Sequence, residues 1–293
     1  MADKTLIFLV GPTAVGKTAA AVRLAKGLDT RIISADSRQC FKELNIGVAK
    51  PSPDELRAVP HYFIGSHSIF DEVTAALFEE LSLQWAADIF RDAETAVAVG
   101  GTGLYIQALC EGLDAIPAID ATIRHDVRAQ YEAKGMAWLQ EQVRQEDPDF
   151  AQAGEMHNPQ RLLRALEVRR STGRSIFLFR TRVGKERPFR IRKIGLRLPK
   201  EELHRRIDTR VDRMMEEGLL EEVRGLLPHR DRNALRTVGY TELFDHLAGT
   251  ITLDEAVARI KKNTRQYAKR QLTWFNRDPS IEWKDADRPL SIA

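Results

Sequence analysis

The chain has 293 residues, 43% hydrophobic and 30% charged, the balance of a soluble globular protein with room for one large domain or two smaller ones. No apolar run approaches the ~20 residues a membrane span needs, and Cys40 and Cys110 stand far apart with no CxxC pair, which argues against a zinc site and a disulfide framework. Net charge is only +3, but residues 1–120 hold 10 Lys/Arg against 16 Asp/Glu, leaving 35 against 26 for the remainder, and a basic remainder of this kind suggests a large anionic partner.

Met1-Ala2-Asp3-Lys4 has no signal-peptide layout, so the cytosol is the expected compartment. The apolar run Leu6-Ile7-Phe8-Leu9-Val10 reads as a buried strand, and Ala19 to Leu28 as a helix. Between them lies Gly11-Pro12-Thr13-Ala14-Val15-Gly16-Lys17-Thr18, a complete G-x-x-x-x-G-K-[ST] phosphate loop in its strand–loop–helix context. The two glycines let successive N–H groups converge, and the helix adds its own free N–H groups and dipole. Lys17 supplies a point charge, and the Thr18 hydroxyl suits a Mg²⁺ ligand. Such a cradle holds two linked phosphates, whether they belong to a nucleotide or to a diphosphate leaving group.

Arg31 to Asp36 reads as a short buried strand ending in an acid, which places Asp36 near the loop mouth in an open α/β sheet. Ser37, Arg38 and Gln39 follow. Residues 45–60, with three prolines, read as a loop. A helix is expected over about Glu72–Arg91, then a strand over Thr95–Val99 that runs into Gly100-Gly101-Thr102-Gly103-Leu104-Tyr105. Thr102 at this turn either caps the next helix or faces the same crevice as Asp36. The β-α-β-α order predicts a P-loop NTPase-like α/β core, a parallel sheet flanked by helices.

From Pro117 helical patterns dominate, near Asp120–Lys134, Met136–Arg144 and Pro159–Ser171, and predict a helical insertion over 118–189, with 1–117 and 190–293 forming the core. Residues 160–193 carry 12 Lys/Arg, Arg182 among them, against Glu167 and Glu186, with Phe177, Phe179 and Phe189 interleaved, a nucleic-acid footprint. Arg190–Leu198 reads as a returning strand and Lys200–Glu217 as a helix with Arg206, Arg210 and Arg213 on one face. That face suits a phosphate, or equally the neighbouring acids Asp208, Asp212, Glu216 and Glu217. A last helix spans about Leu253–Asn276. Between Glu255 and Asp278 the chain has seven bases and no acid, which favours contact with a phosphate backbone.

The residues alone leave three readings open. One is a kinase in which Asp36 takes the proton of a substrate hydroxyl. Another is a transferase that acts on nucleic acid and holds a diphosphate in the P-loop. The third is an RNA-binding P-loop switch without turnover.

The chain resembles the bacterial tRNA dimethylallyltransferases. The resemblance rests on residues 11–18, Ser34-Ala35-Asp36-Ser37-Arg38-Gln39, Ile46-Gly47-Val48-Ala49-Lys50-Pro51 and Gly100–Tyr105. It continues through Gln160–Val168 and Val238-Gly239-Tyr240 to Thr264–Trp274, in the family's order along nearly the whole chain. It implies transfer of a dimethylallyl group from dimethylallyl diphosphate to N6 of the adenosine just 3′ of the anticodon, position 37, with Mg²⁺ as cofactor. It further implies that Lys17, Thr18, the loop amides and Arg210 hold the diphosphate, that Asp36 takes the N6 proton and that Thr102 neighbours the adenosine. Ser37, Arg38, Gln39, Arg124 and the segment Gln160, Arg161, Leu162, Leu163 and Arg164 are then the tRNA contacts. A monomer is expected, engaging the anticodon stem-loop. The chain departs from the family at Val48, where Thr is usual, at Phe41, where Tyr is common, and in a shortened His157-Asn158-Pro159 run. These departures concern loop contacts and leave Lys17, Thr18 and Asp36 untouched.

Overall fold

The computed structural model describes residues 4–181 and 183–288; Met1–Asp3 and Arg182 of the basic run lie outside them. The β1 strand (Thr5–Val10) runs at the centre of the sheet. Its side chains alternate between the two faces: Leu6, Phe8 and Val10 pack into one core, Ile7 and Leu9 into the other. Because helices cover both faces, the strand is apolar at every position from Leu6 to Val10.

After β1 the chain forms α1 (Lys17–Gly27), β2 (Ile32–Ala35), α2 (Pro53–Ala58), β3 (His61–Tyr62), α3 (Ala75–Asp92), β4 (Thr95–Gly100) and α4 (Gly103–Glu111). The 45–60 segment is not wholly a loop. Ser52 and Glu55 form a capping box around α2, and Pro53 occupies the first helical position, where a missing N–H costs nothing. The α3 helix begins at Ala75 because the Thr74 hydroxyl accepts from the N–H of Leu77.

The chain then enters α5 (Ala121–Glu146), which breaks at Gly135 (φ 75°, ψ −168°), α6 (Pro148–Ala153) and α7 (Pro159–Thr172). It returns through β5 (Arg190–Arg197), α8 (Lys200–Glu216), α9 (Leu219–Leu226), α10 (Tyr240–Leu247), α11 (Leu253–Phe275) and β6 (Ile281–Asp285). The sheet order is β3-β2-β4-β1-β5-β6, and every pairing is parallel. The two edge strands were not legible in the sequence, since β3 is two residues long and β6 has only one buried residue, Ile281.

The described chain divides into two compact units, 1–111 with 186–293 and 112–185. The second unit has its own core, formed by Val127, Leu139, Val143, Phe150, Leu162 and Leu166 with their neighbours. Residues 186–189, assigned above to the insertion, belong to the first unit. There the Arg187 guanidinium donates to Glu79 and to the carbonyls of Ala108 and Leu109.

Parallel order puts the carboxyl ends of β1, β2 and β4 side by side. Out of them run the phosphate loop, the segment starting at Asp36, and the Gly101-Thr102 turn.

Candidate active site

The phosphate loop is built from left-handed turns. Gly16 (φ 97°) and Ala14 (φ 64°) both have positive φ, and Gly16 caps α1 with no side chain in the way. Gly11 is required by close packing, since a Cβ there would lie 2.6 Å from the Leu196 carbonyl oxygen. Lys17 Nζ donates to the carbonyls of Gly11 (2.9 Å) and Pro12 (2.7 Å) at the loop rim. Burial, helped by the Arg210 charge, lowers its pKa to about 7, against a smaller upward pull from Asp36.

Arg210 comes from α8, whose Leu203, Ile207 and Val211 are buried one turn apart and fix the helix rotation. Its guanidinium lies 3.5 Å from the Thr13 hydroxyl, and burial lowers its pKa. It has no ion pair among the described residues. By contrast, Arg206 is consumed by Glu202 and Asp287, and Arg213 by Glu217. Two desolvated cations, Lys17 and Arg210, therefore face one concavity without a carboxylate bound to either. This is an arrangement that an anion stabilises.

Asp36 sits one residue past β2. One carboxylate oxygen, Oδ1, accepts from the N–H groups of Arg38 (2.9 Å) and Gln39 (3.3 Å). The other, Oδ2, takes no hydrogen bond from the described residues, and Asp36 lines the cleft. Thr102 does not cap its helix through its side chain. Its Oγ1 accepts from the Ser37 N–H (3.1 Å) and pairs with the Tyr267 phenol, whose pKa burial pushes up to about 12.

Two adjoining lobes, about 680 and 670 Å³, meet at Thr13, Asp36, Arg210 and Tyr267. The P-loop lobe takes in Lys17, Thr18, Pro51 and Leu56. The second takes in Ser37, Arg38, Thr102, Arg236, Thr264 and Arg270. Val48 and Ala49 wall both. Thr18 lines the P-loop lobe, its hydroxyl with no hydrogen-bond partner among the described residues, and no cluster of three His, Cys, Asp or Glu able to hold a metal occurs among them. That donor set fits a Mg²⁺ ion carried mainly by substrate oxygens and water, with Thr18 as its protein ligand.

Two site residues inside the Thr264–Trp274 block, Tyr267 and Gln271, were not among the candidates. Both lie on α11, on one face at i, i+4 spacing. Gln271 is buried and bridges the loops: its Oε1 accepts from the Thr13 N–H (2.8 Å) and its Nε2 donates to the Gly101 carbonyl (2.9 Å). The signal for it was a polar residue on the buried stripe Ala256, Ile260, Ala268, Phe275. Replacing it with glutamate removes a donor to Gly101 and buries a charge. Urea unfolding of Gln271→Glu is expected to show a loss of about 1–3 kcal/mol.

Other residues expected at the site are otherwise employed. Gln39 donates to the carbonyls of Val48 (3.2 Å) and Ala49 (2.9 Å), so it holds a loop and opens onto the P-loop lobe only. Arg38 reaches the carbonyls of Asn233 and Arg236 while lining the second lobe. The one-sign charge of α11 is partly neutralised, since Lys261 pairs with Asp212 and Arg265 with Asp208 on α8. In the helical unit, Arg124, Arg128 and Arg164 converge on the buried Glu167, leaving that cluster cationic. Gln160 is exposed, and Arg161 pairs with Glu155. Leu162 and Leu163 are corrected: both are buried in the unit's apolar core, so their side chains pack and do not reach out to a ligand.

A phosphate loop, two unpaired desolvated cations and a carboxylate oxygen at the meeting of two lobes define a P-loop enzyme that removes a group from a phosphorylated donor. The comparisons say which. A family model described as IPP transferase matches residues 39–278. A tRNA dimethylallyltransferase 1 of Bacteroides thetaiotaomicron is 47% identical over 98% of this chain and 94% of its own length, and a tRNA dimethylallyltransferase of Cytophaga hutchinsonii is 45% identical over 96% and 92%. The full-length tRNA isopentenylpyrophosphate transferase of Bacillus halodurans superposes with a TM-score of 0.70 at 36% identity, over 97% of this chain and 90% of that one. A eukaryotic dimethylallyltransferase acting on tRNA superposes with a TM-score of 0.77 at 26% identity, over 97% and 74%. The chain belongs to the IPP transferase family and is a transferase of the tRNA dimethylallyltransferase kind.

Proposed function

We propose that this enzyme transfers the dimethylallyl group of dimethylallyl diphosphate to N6 of the adenosine 3′ of the anticodon, position 37, of tRNA. The observation that carries the reading is the pair of desolvated cations without ion pairs, Lys17 and Arg210, lining one cleft with Asp36. The P-loop lobe takes the diphosphate on the loop N–H groups of residues 11–18, with Lys17 and Arg210 facing the oxygens where negative charge grows as the allylic C–O bond breaks. Mg²⁺, held by Thr18 and the diphosphate, would add Lewis-acid stabilisation of that charge.

The adenine enters the second lobe beside Thr102 and Tyr267. Its N6 attacks the allylic carbon, diphosphate leaves, and Asp36 Oδ2 takes the N6 proton as the bond forms. Asp36 Oδ1 stays on its two backbone amides, so the base is held while its other oxygen works. Flipping the adenosine out of the loop costs about a few kcal/mol. Ser37, Arg38 and, on the helical unit, Arg124, Gln160, Arg161 and Arg164 supply the contacts that offset it. The kinase reading lacks support: β4 runs into Gly101 and ends in no metal-binding acid.

The enzyme is proposed to act as a monomer. No helix among the described residues is long and apolar enough to cross a membrane, and we propose that the enzyme, acting on tRNA, works in the cytoplasm. Single-turnover assays with Mg²⁺, labelled dimethylallyl diphosphate and an anticodon stem-loop test the reading. Label is expected in the RNA at the adenosine after the anticodon. Label on free AMP alone, or ATP-dependent phosphorylation of a metabolite with no labelled RNA, overturns it.

A further inference from the structure

Two of the sequence blocks, Ile46–Pro51 and Val238-Gly239-Tyr240, have no part in the chemistry above, yet the fold brings them together on one side chain. Glu222, on α9, uses both carboxylate oxygens. Oε2 accepts from the N–H groups of Asn45 (3.1 Å) and Ile46 (2.8 Å); Oε1 accepts from the Gly47 N–H (3.1 Å) and from the Tyr240 hydroxyl (2.6 Å). Three successive amides on one carboxylate form a closed anion nest. The fit is tight, since a Cβ on Gly47 would come within 2.5 Å of the Tyr240 ring, which is fully buried.

What Glu222 holds is the wall of the site. Val48 and Ala49, the next two residues, line both lobes where they meet, and Ala49 keeps a left-handed backbone (φ 49°). Tyr240 starts α10, and the turn before it, Thr237 to Gly239, lines the second lobe. One carboxylate thus ties the wall shared by both lobes to the floor of the second. The phosphate loop rests instead on Gln271, and Asp36 on the amides of Arg38 and Gln39, the Gln39 side chain sharing with Glu222 the hold on Val48 and Ala49.

We propose that Glu222 is a positioning residue whose carboxylate locks the Asn45–Lys50 loop over the reacting carbon, aligning the allyl group on the acceptor nitrogen and excluding water from it. The inference rests on the prenyl-transfer reading. A loosened loop leaves the diphosphate anchored while water competes for the allylic carbon. In that side reaction water oxygen bonds to the carbon, the C–O bond to diphosphate breaks, and one water proton goes to solvent, giving prenol and diphosphate.

The test measures RNA-linked label and free prenol together, with kcat and donor KM, for the wild type, Glu222→Gln and Tyr240→Phe. The Gln side chain keeps the shape but replaces one acceptor oxygen with an NH₂ that faces N–H donors. The Phe variant leaves the buried ring in place and removes one hydrogen bond. Expected for Glu222→Gln is a fall in kcat of at least tenfold, donor KM within threefold, and a prenol-to-RNA ratio raised at least fivefold. Tyr240→Phe shifts the same quantities the same way by less, and it carries the test should Glu222→Gln fail to fold. Unchanged partition in both variants overturns the proposal, as does loss of rate that tracks a lower melting temperature with no extra prenol. Failure of the wild type to label RNA is a separate result and counts against the prenyl-transfer reading itself.

Discussion

Replacing Asp36 with asparagine is expected to slow prenyl transfer by about 10²–10⁴-fold while leaving diphosphate binding nearly intact. An exocyclic amine is a poor nucleophile because its lone pair is delocalised into the ring. The N–C bond therefore forms productively only if the N6 proton has somewhere to go. The substituted side chain could still accept the amides of Arg38 and Gln39 through its carbonyl oxygen, so the segment keeps its place. It would offer an NH₂ or a weak acceptor where the free carboxylate oxygen stood. Single-turnover rates at saturating RNA and donor measure this directly. A rate within threefold of wild type would remove Asp36 from proton transfer.

The other large effect is at Lys17. Lys17→Met is expected to cost about 10²–10³ in kcat, the usual penalty for losing one preorganised donor to a growing negative charge. The same residue gives the free protein a pH signature. Its pKa is lowered from the ordinary 10.5 to about 7 by burial first and by Arg210 second. A lysine with a lowered folded pKa weakens the fold below that pKa, and the penalty is relieved as pH rises from about 7 towards 10.5. Bound diphosphate restores the ammonium, so binding above pH 7 takes up a proton. Calorimetry of inorganic diphosphate binding at pH 8, in two buffers of different ionisation enthalpy, is expected to show more proton uptake for the wild type than for Lys17→Met. Equal uptake would place the Lys17 charge outside the anion site. Thr18 remains in both proteins, so metal binding does not confound the difference.

The fold and the chemistry were legible to different depths. A motif with strict local geometry is readable without a structure, because the conformation it needs is dictated within eight residues. That is why residues 11–18, the acid after β2 and the Gly100–Tyr105 turn were all recoverable as one crevice: parallel strands send their carboxyl ends to the same edge. Helical periodicity likewise showed the basic, strand-free stretch of the second unit and even its break, which falls at Gly135 between the two expected helices.

Long-range partnership was not readable. Arg206 and Arg213 have acids four residues away, Glu202 and Glu217, but the second partner of Arg206, Asp287, comes from far along the chain, and none comes to Arg210. The bases of α11 read as one electrostatic face until Asp208 and Asp212, more than forty residues upstream, neutralise two of them. Leu162 and Leu163 sit among RNA-facing neighbours in sequence and inside the core in space, since a helix turns about 100° per residue and only some of its positions can face out. Gln271 and Glu222 act across 170 residues or more, one on Thr13 and Gly101, the other on residues 45–47. Local patterning sets which groups are at hand and what each could do. Which of them are left unpaired, and therefore reactive, depends on the neighbours that folding brings from far along the chain.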